Sequence, residues 1–564
     1  MAVEKNKSLR WTAWVAMLIL LGFAGKGNAA VADVHAGEEQ FTAEEQAEID
    51  RFLAMYGRDG NMATTYPGMS LLEKAVHTTG PQFQGWGIEV VRHIVSQGAD
   101  VNEKGKAGYT PLCLAADRAN NIEVIKLLVS EGADVNAEDS SGRTPLYMAA
   151  KYANNIESIK FLVSEGVDMN AMGGNDRRTP LHNAVKTKDI EVVRFLVANG
   201  ADVNARDSNN ESPLLEATGI KGNDEVILFL VSKGADVNAK NNSNAIPLLR
   251  AARTANNVET IKTLVSSGAE VNVKTDRDFT ALHSAAQNEN VEFVKFFVSQ
   301  GLDINAKDND GRMMYSGGET PLSLAVSYNK NFEVIEFLIS EGADINTRTN
   351  FGSSVIHKAT FHKNVELVKF FVSKGVDVHA KDINGSTPIH WAAEKHENAD
   401  IAEVLIVAGA DVNEKNKNGK TTLHYMAFDN SKNDELAKFF ISAGADVNAK
   451  DNTGRTPLHW TIYLYDGGVG FRSVEVAQIF VSAGADVNAK DNNGLSPLHW
   501  AVSYNYGSIG FAQFLVSNGA DVTAKTGHGW SGWLLGKTPL DLAKKVGNTT
   551  MVEYLESLES IDKE

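Results

Sequence analysis

Residues 444–460 read Gly-Ala-Asp-Val-Asn-Ala-Lys-Asp-Asn-Thr-Gly-Arg-Thr-Pro-Leu-His-Trp, and most of the chain is a variation on that text. Its two halves recur in phase. Versions of Gly-Ala-Asp-Val-Asn begin at Gly98, Gly132, Gly166, Gly200, Gly234, Gly268, Gly301, Gly342, Gly375, Gly409, Gly444, Gly484 and Gly519, at intervals of 33 to 41 residues. Versions of Thr-Pro-Leu-His begin at Thr144, Thr179, Thr387, Thr456 and Ser496. Threonine or serine is an N-cap, and proline at the first helical position loses an N–H that would have no partner anyway. Leu146, Ala149 and Ala150 stand at i, i+3 and i+4, so one face of that helix is buried. A second apolar helix follows, as in Ile122–Val129, and Gly132 stops it as a left-handed C-cap. Ala133–Gly142 then leads through a turn to the next cap. A lone helix-helix-hairpin unit cannot bury its apolar face, so such units must stack.

The phrase and the period together resemble the ankyrin repeat, over about residues 69–558. The resemblance implies an all-α solenoid of about 14 helix-turn-helix units with hairpin loops, and a function in protein binding. The first unit, near Ser70, is degenerate. The last begins at Thr538 and ends in an acidic helix without the glycine phrase, as a terminal unit should. Upstream, Thr42-Ala-Glu-Glu45 is a capping box, and Ile49, Phe52, Leu53 and Tyr56 form an apolar stripe. Residues 42–56 are therefore expected to be a capping helix within a linker, 33–68, and 559–564 a C-terminal tail.

The first 32 residues read as an address. Lys5, Lys7 and Arg10 precede an apolar run, 11–25, and Ala30-Val31-Ala32 offers a cleavage site before Asp33, with cleavage after Ala29 or Ala30, or an uncleaved anchor, as the alternatives. The run is short of the ~20 residues a spanning helix needs. Cleavage, export to a periplasm or the outside, and no membrane span thereafter are the expectations. The producer's own envelope and the proteins of a eukaryotic host are both open as settings, as is a plain structural spacer.

The net charge is -17, and residues 1–32 carry four cations and one carboxylate, so the remainder stands at -20. Such a surface repels phosphate backbones, which excludes nucleic acid as the expected partner. A single cysteine, Cys113, permits neither an intrachain disulfide nor a cysteine zinc site.

Several signals imitate chemistry. His182, His283, His357, His390, His424, His459 and His499 all occupy the fourth position of the Thr-Pro-Leu-His phrase. Equivalent positions in stacked units lie roughly 10 Å apart, too far to share one metal ion. The resemblance implies a structural hydrogen-bonding role for them. Ser531–Thr538 lacks the first glycine of a phosphate loop, and Asp308–Gly311 fails the calcium-loop register. No nucleophile or metalloprotease motif occurs. The expectation is a monomeric binding protein, neither an enzyme nor a cofactor protein.

The residue two places beyond the leucine of each phrase lies about 200° round its helix, facing the inner surface of the stack. That position holds Leu114, Met148, Asn183, Glu216, Arg250, Ser284, Leu324, Lys358, Trp391, Tyr425, Trp460, Trp500 and Leu542. Trp391, Tyr425, Trp460 and Trp500 would align over roughly 30 Å as a partner-binding ladder. The alternative is that these rings pack between adjacent helices. Three insertions break the period, at 311–318, 463–471 and 526–537. They place Tyr315, Trp530 and Trp533 among the candidate binding residues, the last of the three insertions also reading as a lid over the C-terminal end.

Overall fold

A computed structural model describes residues 41–561, apart from 57–68, 79–86, 106–107, 119–120, 310–316, 330, 395–398, 428–433, 463–473, 504–508 and 528–535. The signal segment and the candidates Tyr315, Trp530 and Trp533 lie outside the described residues. The chain divides into two compact units, Met1–Asp276 and Arg277–Glu564. The described residues hold 29 helices and no strand, paired and stacked within each unit as an ankyrin solenoid. An isolated antiparallel bridge joins Gly173 and Arg178.

One repeat shows how the text becomes structure. Thr456 is extended, with φ -90° and ψ 166°, and caps Pro457–Trp460. The Thr456 N–H donates to His459 Nδ1 at 3.1 Å, which fills a helix-start donor that would otherwise be orphaned. Leu458 points inward and is fully buried. The partner helix Val474–Ser482 buries Val476, Ala477 and Phe480. Removing such a phenylalanine side chain from a packed core costs about 3–5 kcal/mol. At the helix end Gly484 takes φ 93°, and Ala485 N–H reaches back to Phe480 O at 2.9 Å. Only glycine enters that left-handed region without strain.

Within each unit, first helices pack on first helices and second on second. Pro388–Glu394 lies on Thr422–Met426, and Ile190–Ala198 on Asp224–Ser232. The hairpins also touch: Lys417 N–H donates to Asn384 O at 2.9 Å, and a Cβ on Gly385 would sit 2.9 Å from that same nitrogen. The asparagine of Gly-Ala-Asp-Val-Asn adds a two-point staple. Asn448 Nδ2 donates to Gly484 O at 3.0 Å, and its Oδ1 accepts the Asp486 N–H at 2.8 Å. Asn204 does the same to Gly234 and Asp236.

Upstream, Ala43–Tyr56 is a helix closed by the reciprocal Thr42 and Glu45 bonds, at 2.7 and 3.3 Å. It packs on Ile88–Ser96 and buries Ile49, Phe52 and Tyr56, while Leu53 stays partly exposed.

Candidate partner-binding face

Within each unit the first helices and the residues just before them line one face, and the histidines build its floor. In all seven Thr-Pro-Leu-His units the ring joins two repeats. His182 Nε2 lies 3.0 Å from Glu211 O, and His459 Nε2 3.1 Å from Leu495 O, while Nδ1 accepts the N-cap N–H of its own repeat. That acceptor role fixes the Nε2–H tautomer. Both ring nitrogens are thus committed to the backbone. Burial pushes His357, His424 and His459 down to about 4.

Above this floor a second rule governs the face. In six repeat pairs the residue before the cap meets the helix residue two places beyond the leucine in the next repeat. In the unit Met1–Asp276, Arg178 pairs with Glu216 at 3.1 Å, and Glu211 with Arg250 at 2.5 Å. In the unit Arg277–Glu564, Glu319 pairs with Lys358 at 2.8 Å and the Ser386 hydroxyl lies 3.3 Å from Tyr425 OH. Lys420 Nζ sits 3.6 Å from the Trp460 ring centre, and Arg455 Cζ 4.3 Å from that of Trp500. One lattice position therefore carries ion pairs in some repeats and cation–π pairs in others.

The aromatic residues also hold the hairpins. Trp391, Trp460 and Trp500 each donate the indole N–H to the aspartate nine residues earlier: Asp382 at 3.0 Å, Asp451 at 2.9 Å and Asp491 at 3.1 Å. Each carboxylate's other oxygen accepts two turn N–H groups, those of Thr453 and Arg455 in the case of Asp451. Burial raises the Asp451 carboxyl, but these hydrogen bonds outweigh it and hold the group below the usual carboxylate range. Where the aromatic is Tyr425, the hairpin residue is Asn416, whose Nδ2 donates to the phenol oxygen at 2.9 Å.

The expected aromatic ladder is corrected accordingly. Trp460 and Trp500 are 8% and 5% exposed and present almost no surface to a partner. Their polar edges are satisfied internally and their faces are covered by cations, so they pack between helices. Trp391 and Tyr425 remain half-buried. Phe361, 46% exposed, stands 5.9 Å from the Trp391 ring, and Tyr328 of the preceding repeat is also exposed. Neither Phe361 nor Tyr328 figured in the sequence reading, because both lie near the ends of first helices, away from the repeated phrase. Among the described residues no cluster could hold a metal ion, and no helix is long and apolar enough to cross a membrane.

A family model described as Ankyrin repeats (3 copies) matches residues 83–173, 170–241, 248–349, 322–416, 395–491, 423–526 and 469–564. No curated protein matches the sequence. Capped helix pairs, glycine-ended second helices, bridging histidines and near-continuous model coverage agree: the chain belongs to the ankyrin-repeat family, whose repeats are protein–protein interaction modules and typically non-enzymatic scaffolds.

Proposed function

We propose that the protein is an exported scaffold or adaptor that holds a partner protein against the first-helix face. The observation that carries the reading is Phe361, an aromatic ring 46% exposed beside the half-buried Trp391. Aromatic side chains in such a setting are the usual anchors of binding hot spots, and contiguous apolar surface is costly to leave hydrated. Export rests on the basic, apolar and small-residue order of residues 1–32.

The test is affinity capture with residues 33–564 against the producer's envelope fraction and a eukaryotic lysate. The comparison is a Tyr328→Ser, Phe361→Ser double variant. Both positions are exposed, so the variant should keep its helical circular dichroism. A protein retained by the parent chain and lost by the variant is the expected result, and the extract that supplies it identifies the setting. Equal retention by both would remove the aromatic patch as the site. N-terminal sequencing of the exported form is expected to begin at Asp33.

A further inference from the structure

In the unit Met1–Asp276, the two helical faces carry opposite electrostatic layering. On the first-helix face and the residues beside it, five ion pairs turn the cation outward and the carboxylate inward, while in Arg178–Glu216 the two are equally exposed. Arg250 is 29% exposed over Glu211 at 9%, and the same order holds for Arg143 over Asp139, Lys151 over Asp117, Arg178 over Asp207 and Lys186 over Glu216. Arg253 adds a further exposed cation. On the second helices and outer hairpins the order reverses: Lys160 is 48% exposed and Glu157 71%, with Lys126–Glu123, Arg194–Glu225, Arg206–Asp236 and Lys262–Glu259 arranged likewise. Arg92–Glu89, on Ile88–Ser96, departs from this.

The chain as a whole is strongly acidic, at -17. The pairs on this face are each neutral, and the members they turn outward are the cations. The inward carboxylates already satisfy one side of each guanidinium or ammonium, so an incoming carboxylate completes a three-membered charge network and does not displace a pair. We propose that the first-helix face from Arg143 to Arg253 docks an acidic polypeptide segment of a partner. This deepens the protein-binding reading above and rests on it. A polypeptide suits the face better than nucleic acid, whose continuous phosphate charge would also meet the carboxylate-faced hairpins.

The probe is fluorescein-labelled decaglutamate, with the full chain, followed by fluorescence anisotropy across a salt series. The parent chain is expected to bind it, and more weakly as salt rises. Lys151→Glu, Lys186→Glu, Arg253→Glu in one chain should raise Kd at least tenfold with unchanged circular dichroism. Lys126→Glu, Lys160→Glu on the opposite face should leave it unchanged. If the triple variant loses helical signal, Lys186→Gln is the comparison, with an expected threefold weakening. No binding of decaglutamate, equal loss in the opposite-face variant, or no change in Lys186→Gln would overturn the proposal. So would oligo-dT of 20 nucleotides displacing the peptide at lower concentration through the same cations. Such a failure leaves the aromatic-patch experiment standing, because its variants lie in the other unit.

Discussion

Lys420 stands over the face of Trp460, its ammonium nitrogen 3.6 Å from the ring centre, although the two residues belong to successive repeats. Burial lowers the lysine's affinity for its proton, and the ring face offsets part of that cost. A partly desolvated pair of this kind contributes about 1–2 kcal/mol. Lys420→Met keeps the aliphatic stem and removes the charge. It is expected to lower the stability of the Arg277–Glu564 unit by about 1 kcal/mol, read as a drop in urea midpoint by tryptophan fluorescence. An unchanged midpoint would mean that the stem alone holds the ring.

The nine-residue pairing of Trp460 with Asp451 should be exchangeable as a unit. Asp451→Asn sets an amide nitrogen against either the indole N–H or the turn N–H groups, at a cost of about 1–3 kcal/mol for the unmet donor. Asp451→Asn with Trp460→Tyr reproduces the Asn416–Tyr425 arrangement seen one repeat earlier. The double variant is expected to recover part of the loss relative to Asp451→Asn alone. Additive losses in the double-mutant cycle would show that the Asn416–Tyr425 bond depends on its own repeat.

The fold was legible because its signals are local. A threonine cap, a proline one residue later and a left-handed glycine act within a few residues of themselves, and the period multiplies them. The function of the histidines was legible through the family resemblance. The roles of the tryptophans were not, for two reasons. The cations over Trp460 and Trp500 come from the preceding repeat, at distances along the chain that insertions shift: Lys420 precedes Trp460 by 40 residues, while the insertion near 463–471 sets Arg455 45 residues before Trp500. The aspartates, by contrast, stand at a constant nine residues and were visible in the text. The turn they close explained them well enough to hide their second bond.

The asparagine staple has a natural gap to fill. His379 occupies the position that Asn413, Asn448 and Asn488 hold in later repeats. Those asparagines bond Gly444, Gly484 and Gly519 carbonyls at 2.9 to 3.0 Å. His379→Asn is expected to add the same pair of bonds toward Gly409 and Asp411, and to stabilise the unit by about 1 kcal/mol. Asn448→Ala should cost about 1–2 kcal/mol by the same measure. Hydrogen exchange at the Asp411 and Asp486 amides would report each change directly: slower in the first variant, faster in the second.

Acid should loosen the unit Arg277–Glu564 through its histidine bridges. His357, His424 and His459 are driven to about 4 by burial, from an ordinary value of 6.5. Their folded forms therefore bind fewer protons than the unfolded chain between those limits. Above pH 6.5 both states are neutral and the contribution is complete. As pH falls toward 4 each histidine withdraws about 1.4 kcal/mol per pH unit, and below 4 the effect levels off because the folded rings protonate as well. The three act together, so the urea midpoint is expected to fall steeply across that window. His459→Gln separates this from the titration of carboxylates. It should reduce neutral stability, since the bridge to Leu495 is lost, yet flatten the slope between pH 6.5 and 4 by one histidine's share. A slope unchanged by that substitution would assign the acid sensitivity to carboxylates such as Asp451, which hydrogen bonding holds below the usual range and whose contribution is lost at lower pH.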